Sequence, residues 1–178
     1  MEKIIGGMRQ QSIGSQLITS QNGWPASKDP HEIGVRQYAI ADSGVKLRCA
    51  EKVAPLLVAV ASQFHEHIEA IDDGNDDWGY CYREIRGSQT VLSNHSSGTA
   101  IDLNATKHPL GSAGTFSTVQ VALIQALCKK YGIRWGGDYK GRKDEMHFEI
   151  SLDEAKVAAL IGKLGLSTKK EKTNAQIN

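Results

Sequence analysis

No stretch of the 178-residue chain approaches the run of about 18 apolar residues that a membrane-spanning helix needs, so none is expected. Charge of one sign is missing as well. Lys and Arg number 21 against 20 Asp and Glu, and the formal charge of +1 removes the electrostatic case for nucleic-acid binding. Cysteine is sparse. Cys49, Cys81 and Cys128 form no C-x-x-C pair, which argues against a thiolate zinc site, and their odd number without an apolar leader favours reduced thiols. The N-terminal MEKIIGGMRQQSIGSQL carries Lys3 and Arg9, but Ile4-Ile5 is too short for a signal-peptide core, so no Sec-type export is expected. Internal repeats and low-complexity linkers are absent. With 40% hydrophobic and 23% charged residues the composition is that of an ordinary folded chain. One domain is expected over 1–166, followed by a polar, frayed tail over 167–178, STKKEKTNAQIN.

What is there reads as helices mixed with short strands. Gln21–Pro30 is dense in turn formers and is predicted to be loop. Val35–Leu47 holds two short apolar-alternating pieces around the turn Asp42-Ser43-Gly44. In Ala50–Ile71, Leu57, Val60, Phe64 and Ile68 recur at helical spacing, with Pro55 in the first turns. The acidic run Asp72–Asp77 lacks the ligand spacing of a calcium loop and is expected to be a solvated turn. A second helix is expected over Ser117–Tyr131, capped by Ser117 or Thr118 and ended by Gly132, with Leu123, Ile124, Leu127, Cys128 and Tyr131 buried. A third is expected from Ser151, through a capping box Ser151-x-x-Glu154, to Gly165, with Val157, Leu160, Ile161 and Leu164 as its apolar face. Strand candidates lie near Gly79–Ile85, Thr99–Leu103, Ile133–Trp135 and Met146–Ile150. Without regular βαβ alternation, these elements predict an α+β fold with a small, largely antiparallel sheet flanked by helices.

Two stretches carry chemistry. In Ser93–Asn104, SNHSSGTAIDLN, strand alternation turns Ile101 and Leu103 to one face and Ala100 and Asp102 to the other. Gly98 lets the chain bend so that His95 returns toward Asp102. In Trp135–Ile150, WGGDYKGRKDEMHFEI, the residues Met146, Phe148 and Ile150 alternate with His147 and Glu149. Asp144, three residues before His147, shares its site only if the chain turns near Glu145. Two His and one Asp suit a catalytic zinc, with unrelated His–carboxylate hydrogen bonds as the competing reading. Such chemistry also needs a proton-carrying carboxylate, for which Asp144 is the candidate and Asp138 the rival, and a cation beside the carbonyl oxygen, Arg83 or Arg86. Glu149 is expected to orient His147 or to lie at the surface. Trp78, Trp135 and Tyr139 line a cleft or pack in the core. His65 and His67 are read as surface or helix-end residues, and His31 and His108 as lacking partners at ligand spacing.

The pattern Ser93-x-His95-x-x-Gly98-x-Ala100-x-Asp102, followed by Asp144-x-x-His147 and extended by WGGDY and MHFE, resembles the zinc peptidases that cut peptidoglycan stem peptides. That family includes D-Ala-D-Ala carboxypeptidases and L-alanyl-D-glutamate endopeptidases. The resemblance is strong over Gly79–Ile150 and weak over Leu17–Ile71. It implies the fold shared with the hedgehog signalling domain, and one zinc ion held by His95, Asp102 and His147. It also implies Asp144 as acid/base, where some relatives carry Glu, Arg83 (with Arg86 close by) as oxyanion stabiliser, and Ser93 as a hydrogen-bond donor behind the ligands. Glu149, Trp135 and Asp138 complete the expected site. The dense form YREIRGSQTVLSNHSSGTAIDLNATKHPLG looks most like bacteriophage endolysins. The resemblance therefore implies hydrolysis of a stem-peptide amide by metal-activated water, the L-Ala-D-Glu bond before the D-Ala-D-Ala bond. A non-catalytic wall-binding module is the remaining alternative. It further implies a monomer whose partner is the bacterial wall, made in the host cytoplasm and released to the wall by another protein.

Overall fold

The computed structural model describes residues 18–71 and 74–167. The polar-tail reading of 167–178 therefore falls, beyond Ser167, outside the described residues. A hairpin comes first, β1 (Val35–Ala39) pairing antiparallel with β2 (Lys46–Ala50). Its turn is where Asp42-Ser43-Gly44 predicts it, with Asp42 and Gly44 both at positive φ. Leu47 and Cys49 face the core, while Lys46 and Arg48 face out.

The chain then enters α1 (Ala54–His67). The helix begins later than the expected Ala50, because Ala50 is still paired with Val35 and a turn from Ala50 to Val53 intervenes. Pro55 sits in its first turn, where a missing N–H costs least. Leu57, Val60 and Phe64 are fully buried. Phe64 meets Phe148 edge to face at 5.7 Å, which presses α1 against the second sheet.

That sheet is antiparallel and consists of β3 (Ala100–Asp102), β5 (His147–Ile150) and β4 (Ile133–Trp135), in the order β3-β5-β4. Its register sets Asp102 opposite His147, Ile101 opposite Phe148, and both Ala100 and Arg134 opposite Glu149. Ile101, Leu103, Phe148 and Ile150 are fully buried on the core side. The alternate positions Asp102, His147 and Glu149 share the other face. The fold is α+β, with α1, α2 (Thr118–Tyr131) and α3 (Glu154–Leu164) around small antiparallel sheets.

Several local expectations change. Gly79–Ile85 is no strand. It runs as extended chain held by single bridges, Trp78 to Asp102 and Glu84 to Leu92, and by Tyr80 N–H donating to the Arg48 carbonyl. Gly79 passes so close to Arg48 that a Cβ there would lie 2.1 Å from its carbonyl oxygen. In α2, Ser117 is the cap and forms a capping box with Gln120, but Leu123 is 43% exposed because the helix turns only Ile124, Cys128 and Tyr131 fully inward. α3 is capped by Asp153 rather than Ser151, whose hydroxyl donates instead to the Gly132 carbonyl. Asp76 and Asp77 are buried, not solvated. Asp76 accepts from the backbone and hydroxyl of Thr106, and Asp77 from the Asn104 N–H, so both clamp the chain leaving β3. Asp72 and Asp73 lie outside the described residues. His108, read as having no partner at ligand spacing, takes part in hydrogen bonds and a ring stack. It is buried, stacks on Phe116, and contacts Thr115 and Glu69.

Candidate metal centre

Three segments deliver the donors. His95 lies in a single 3₁₀ turn, Asn94–Ser97, whose first residue is preceded by Ser93 as cap. The Ser93 hydroxyl accepts from the His95 N–H at 3.4 Å, so it shapes the turn. Gly98 ends the turn at φ +66, and a Cβ there would lie 2.8 Å from the Ala50 nitrogen. The chain thus reverses into β3 and brings Asp102 back under His95, while the β3–β5 register supplies His147.

The donor atoms form a tight triangle. His95 Nε2 is 3.2 Å from Asp102 Oδ1 and 3.2 Å from His147 Nδ1, which is itself 2.8 Å from Asp102 Oδ1. All three residues are buried. The back of each imidazole is held by an acceptor. His95 Nδ1 donates to the Gly79 carbonyl at 2.7 Å, and His147 Nε2 to Glu149 Oε2 at 3.1 Å. In the neutral rings these bonds fix opposite tautomers, so each ring, when unprotonated, offers a lone pair on the side of the Asp102 carboxylate. Three acceptors this close hold together only around positive charge, a proton or a metal cation. Zinc with N and O ligands at about 2.0–2.2 Å has tetrahedral edges near 3.3 Å, close to the spacing found. Two imidazoles and a carboxylate therefore fit zinc in both size and chemistry.

The electrostatics agree. Burial opposes the charge on Asp102, but the His95 and His147 rings beside it hold its carboxyl well below the usual range. Burial would likewise lower His147, but hydrogen bonds to Asp102 and Glu149 outweigh it, pushing the imidazole up to about 10. The site thus favours a bound positive charge. Glu149 is the hub behind it. Besides His147 it accepts from Asn94 Nδ2, hydrogen-bonds Tyr139, and pairs with the Arg134 guanidinium at 3.5 Å. Its own carboxyl is held low because those bonds, His147 first, overcome burial.

Asp144 reaches the centre by the turn that its odd spacing requires. Its carbonyl accepts from the His147 N–H at 3.1 Å across Glu145-Met146, and its N–H donates to the Gly136 carbonyl at 3.1 Å. Gly136 is needed there, since a Cβ would lie 2.2 Å from the Asp144 oxygen. Asp144 Oδ1 is buried and has no hydrogen-bond partner among the described residues. Burial raises the carboxyl, the Asp102 charge adds to this, and His147, His95 and Arg83 oppose it.

The centre opens into a cleft of about 1090 Å³ that also admits Trp78, Tyr80, Arg83, Arg86, Tyr139 and Arg142. Arg83 is tied to the His95 turn, its carbonyl accepting from Ser93 N–H and its own N–H donating to Ser96 Oγ. Arg86 is exposed further along the same wall. Asp138 lies at the rim and accepts from Gln125, apart from the donor triangle. Of the three ring residues with two readings, Trp78 and Tyr139 line the cleft, whereas Trp135 is core, 3% exposed, with its indole N–H on the Glu145 carbonyl. No residue pattern pointed to the Gly79 carbonyl, because a backbone acceptor has no residue signature. Asn94, adjacent to His95 in S-N-H, and Tyr139 in GGDY were visible as polar residues within the motifs.

No curated protein and no solved structure matches the chain. Residues 86–150, which hold all three donors and Asp144, match the family model described as D-alanyl-D-alanine carboxypeptidase. That match supports a place for this chain in that peptidase family.

Proposed function

We propose that the protein is a zinc-dependent peptidoglycan peptidase that hydrolyses an amide bond of the stem peptide, the L-Ala-D-Glu bond, in the role of a phage endolysin. The observation that carries the reading is the convergence of His95, Asp102 and His147 on one point, with the half-buried Asp144 beside it. Bound there, zinc supplies a Lewis acid that lowers the pKa of water and polarises a carbonyl. The chain's own residues do the rest. Asp144 is a carboxyl whose affinity for a proton is raised, which suits it to take a proton from water and deliver it to the departing amine. Arg83 lines the same cleft, and its positive charge acts on Asp144, which suits it to stabilise an oxyanion. Arg86, Arg134, Lys140 and Arg142 make the cleft a seat for an acidic peptide. In this reading the protein is made in the host cytoplasm, works as a monomer and meets the wall once the membrane is opened.

The description of the matched family favours a second reading, removal of the terminal D-Ala. The two differ in products. Purified muropeptides digested with zinc-loaded protein and analysed by mass spectrometry are expected to lose the peptide beyond L-Ala. Loss of a single D-Ala instead would establish the carboxypeptidase. No cleavage with zinc bound would leave a binding module.

A further inference from the structure

The residue next to Asp144 has no part in the donor triangle and yet is 5% exposed. Glu145 turns its carboxylate away from the cleft, toward the loop between β3 and α2. There it accepts from Gly114 N–H at 2.7 Å, from Thr115 N–H at 2.8 Å, and from the Thr115 hydroxyl. The same hydroxyl lies 2.7 Å from His108 Nδ1, whose other nitrogen is 3.1 Å from Glu69 beyond the end of α1. Asn104 Nδ2 also donates to Glu69 and, at 3.0 Å, to the Ala70 carbonyl. His108 is stacked on Phe116 with ring centres 3.7 Å apart, so the imidazole cannot swing freely. Two further bonds run from this loop to the segment just before Asp144. Gly111 N–H donates to the Lys143 carbonyl at 2.8 Å, and Arg142 reaches the Leu110 carbonyl at 3.4 Å.

The geometry points to the 107–116 loop as a strap that places Asp144, with Glu145 and Thr115 as its positioning residues. The backbone at 144–145 is gripped from the sheet side by Gly136 and the Trp135 indole. Among the described residues, the bonds that hold it from the loop side come from this strap. A carboxyl that carries protons must stay within hydrogen-bond reach, and an error near 1 Å can cost about a hundredfold in rate. The donors do not depend on this clamp in the same way, because His147 is fixed by its β5 pairing and by Glu149, and His95 and Asp102 by other segments.

This rests on the reading of Asp144 as the proton carrier, and the test separates the two. Glu145→Gln puts an amide NH₂ against backbone N–H donors. Thr115→Val removes the hydroxyl link, and Thr115→Ser keeps it. In the zinc-loaded full chain, Glu145→Gln and Thr115→Val are expected to lower kcat by about 10- to 100-fold. KM should stay within about threefold, zinc content should be unchanged, and Thr115→Ser should recover most of the lost rate. Hydrogen exchange at the Gly114 and Thr115 amides should quicken about tenfold in Glu145→Gln, a readout independent of activity. Faster exchange with kcat unchanged in both variants would overturn the strap. So would parallel loss of kcat, zinc affinity and melting temperature, which marks a merely structural role. Asp144→Asn at full activity would instead remove the reading beneath it.

Discussion

Asp144 holds a buried carboxylate oxygen that nothing among the described residues satisfies, next to the donor triangle of His95, Asp102 and His147. A buried acceptor left open is costly unless function uses it. Asp144→Asn is nearly the same size but carries no transferable proton. It is expected to lower cleavage by about 10²- to 10⁴-fold, with metal content and melting temperature unchanged. Muropeptide digestion beside elemental analysis checks this, and an active, metal-loaded variant would contradict the role. Glu149 makes a different prediction. Replaced by Gln, it keeps a partner for the ring but loses the charge that makes His147 a strong donor. Zinc affinity, measured by competition with a chelator, should fall about 10- to 100-fold.

At the scale of elements, the 3₁₀ turn at Asn94–Ser97 decides whether His95 faces Asp102. Its exit at Gly98 has φ +66 and packs against β2, where Ala50 N–H donates to the Gly98 carbonyl. Gly98→Ala adds a left-handed penalty of about 1–2 kcal/mol. It also adds a Cβ 2.8 Å from the Ala50 nitrogen and 2.9 Å from Val35 Cγ2, both in the paired hairpin. Urea unfolding should show a loss of about 2 kcal/mol or more. A neutral result would mean that the hairpin yields easily and does not hold the turn. The sheet register matters in the same way. A one-residue slip of β5 would turn His147 and Glu149 into the core and Phe148 into the cleft, so the burial of Phe148 against Phe64 fixes the site.

Across the whole molecule, α1, β2 and the β3-β5-β4 sheet share one apolar core, and the centre lies on the sheet face turned from it. Cys49 and Cys128 belong to that core, and burial pushes both thiols up to about 12, with the Asp138 charge adding at Cys128. The folded state therefore favours the neutral thiol. That contribution is complete below the ordinary thiol pKa of 9.0 and is lost as pH rises toward 12. Stability should fall by about 1.4 kcal/mol per pH unit for each buried thiol in that window. Denaturant titrations at pH 8, 9.5 and 10.5 measure the slope. A flat profile would mean that the thiols are reached by water.

What the sequence determined by itself was local. Alternation in Thr99–Leu103 and Met146–Ile150 separates core from site residues because a strand has period two, and it places Asp102, His147 and Glu149 on their faces without knowledge of any partner. Ser117, Gly132 and Gly165 set helix ends by their own capping chemistry. The odd Asp144–His147 offset called for a turn, and a turn is there. The tertiary structure alone decided what depends on pairing across distance. Asp102 and His147 are 45 residues apart, and periodicity gives a residue's face but not its neighbour. The helix expected from Ala50 yields to strand pairing with Val35, Trp135 goes to the core, and Asp76 and Asp77 are drawn inside by the backbone of Asn104–Thr106. Each outcome was settled by a partner remote in sequence, whose hydrogen bonds or apolar surface outweighed the local preference.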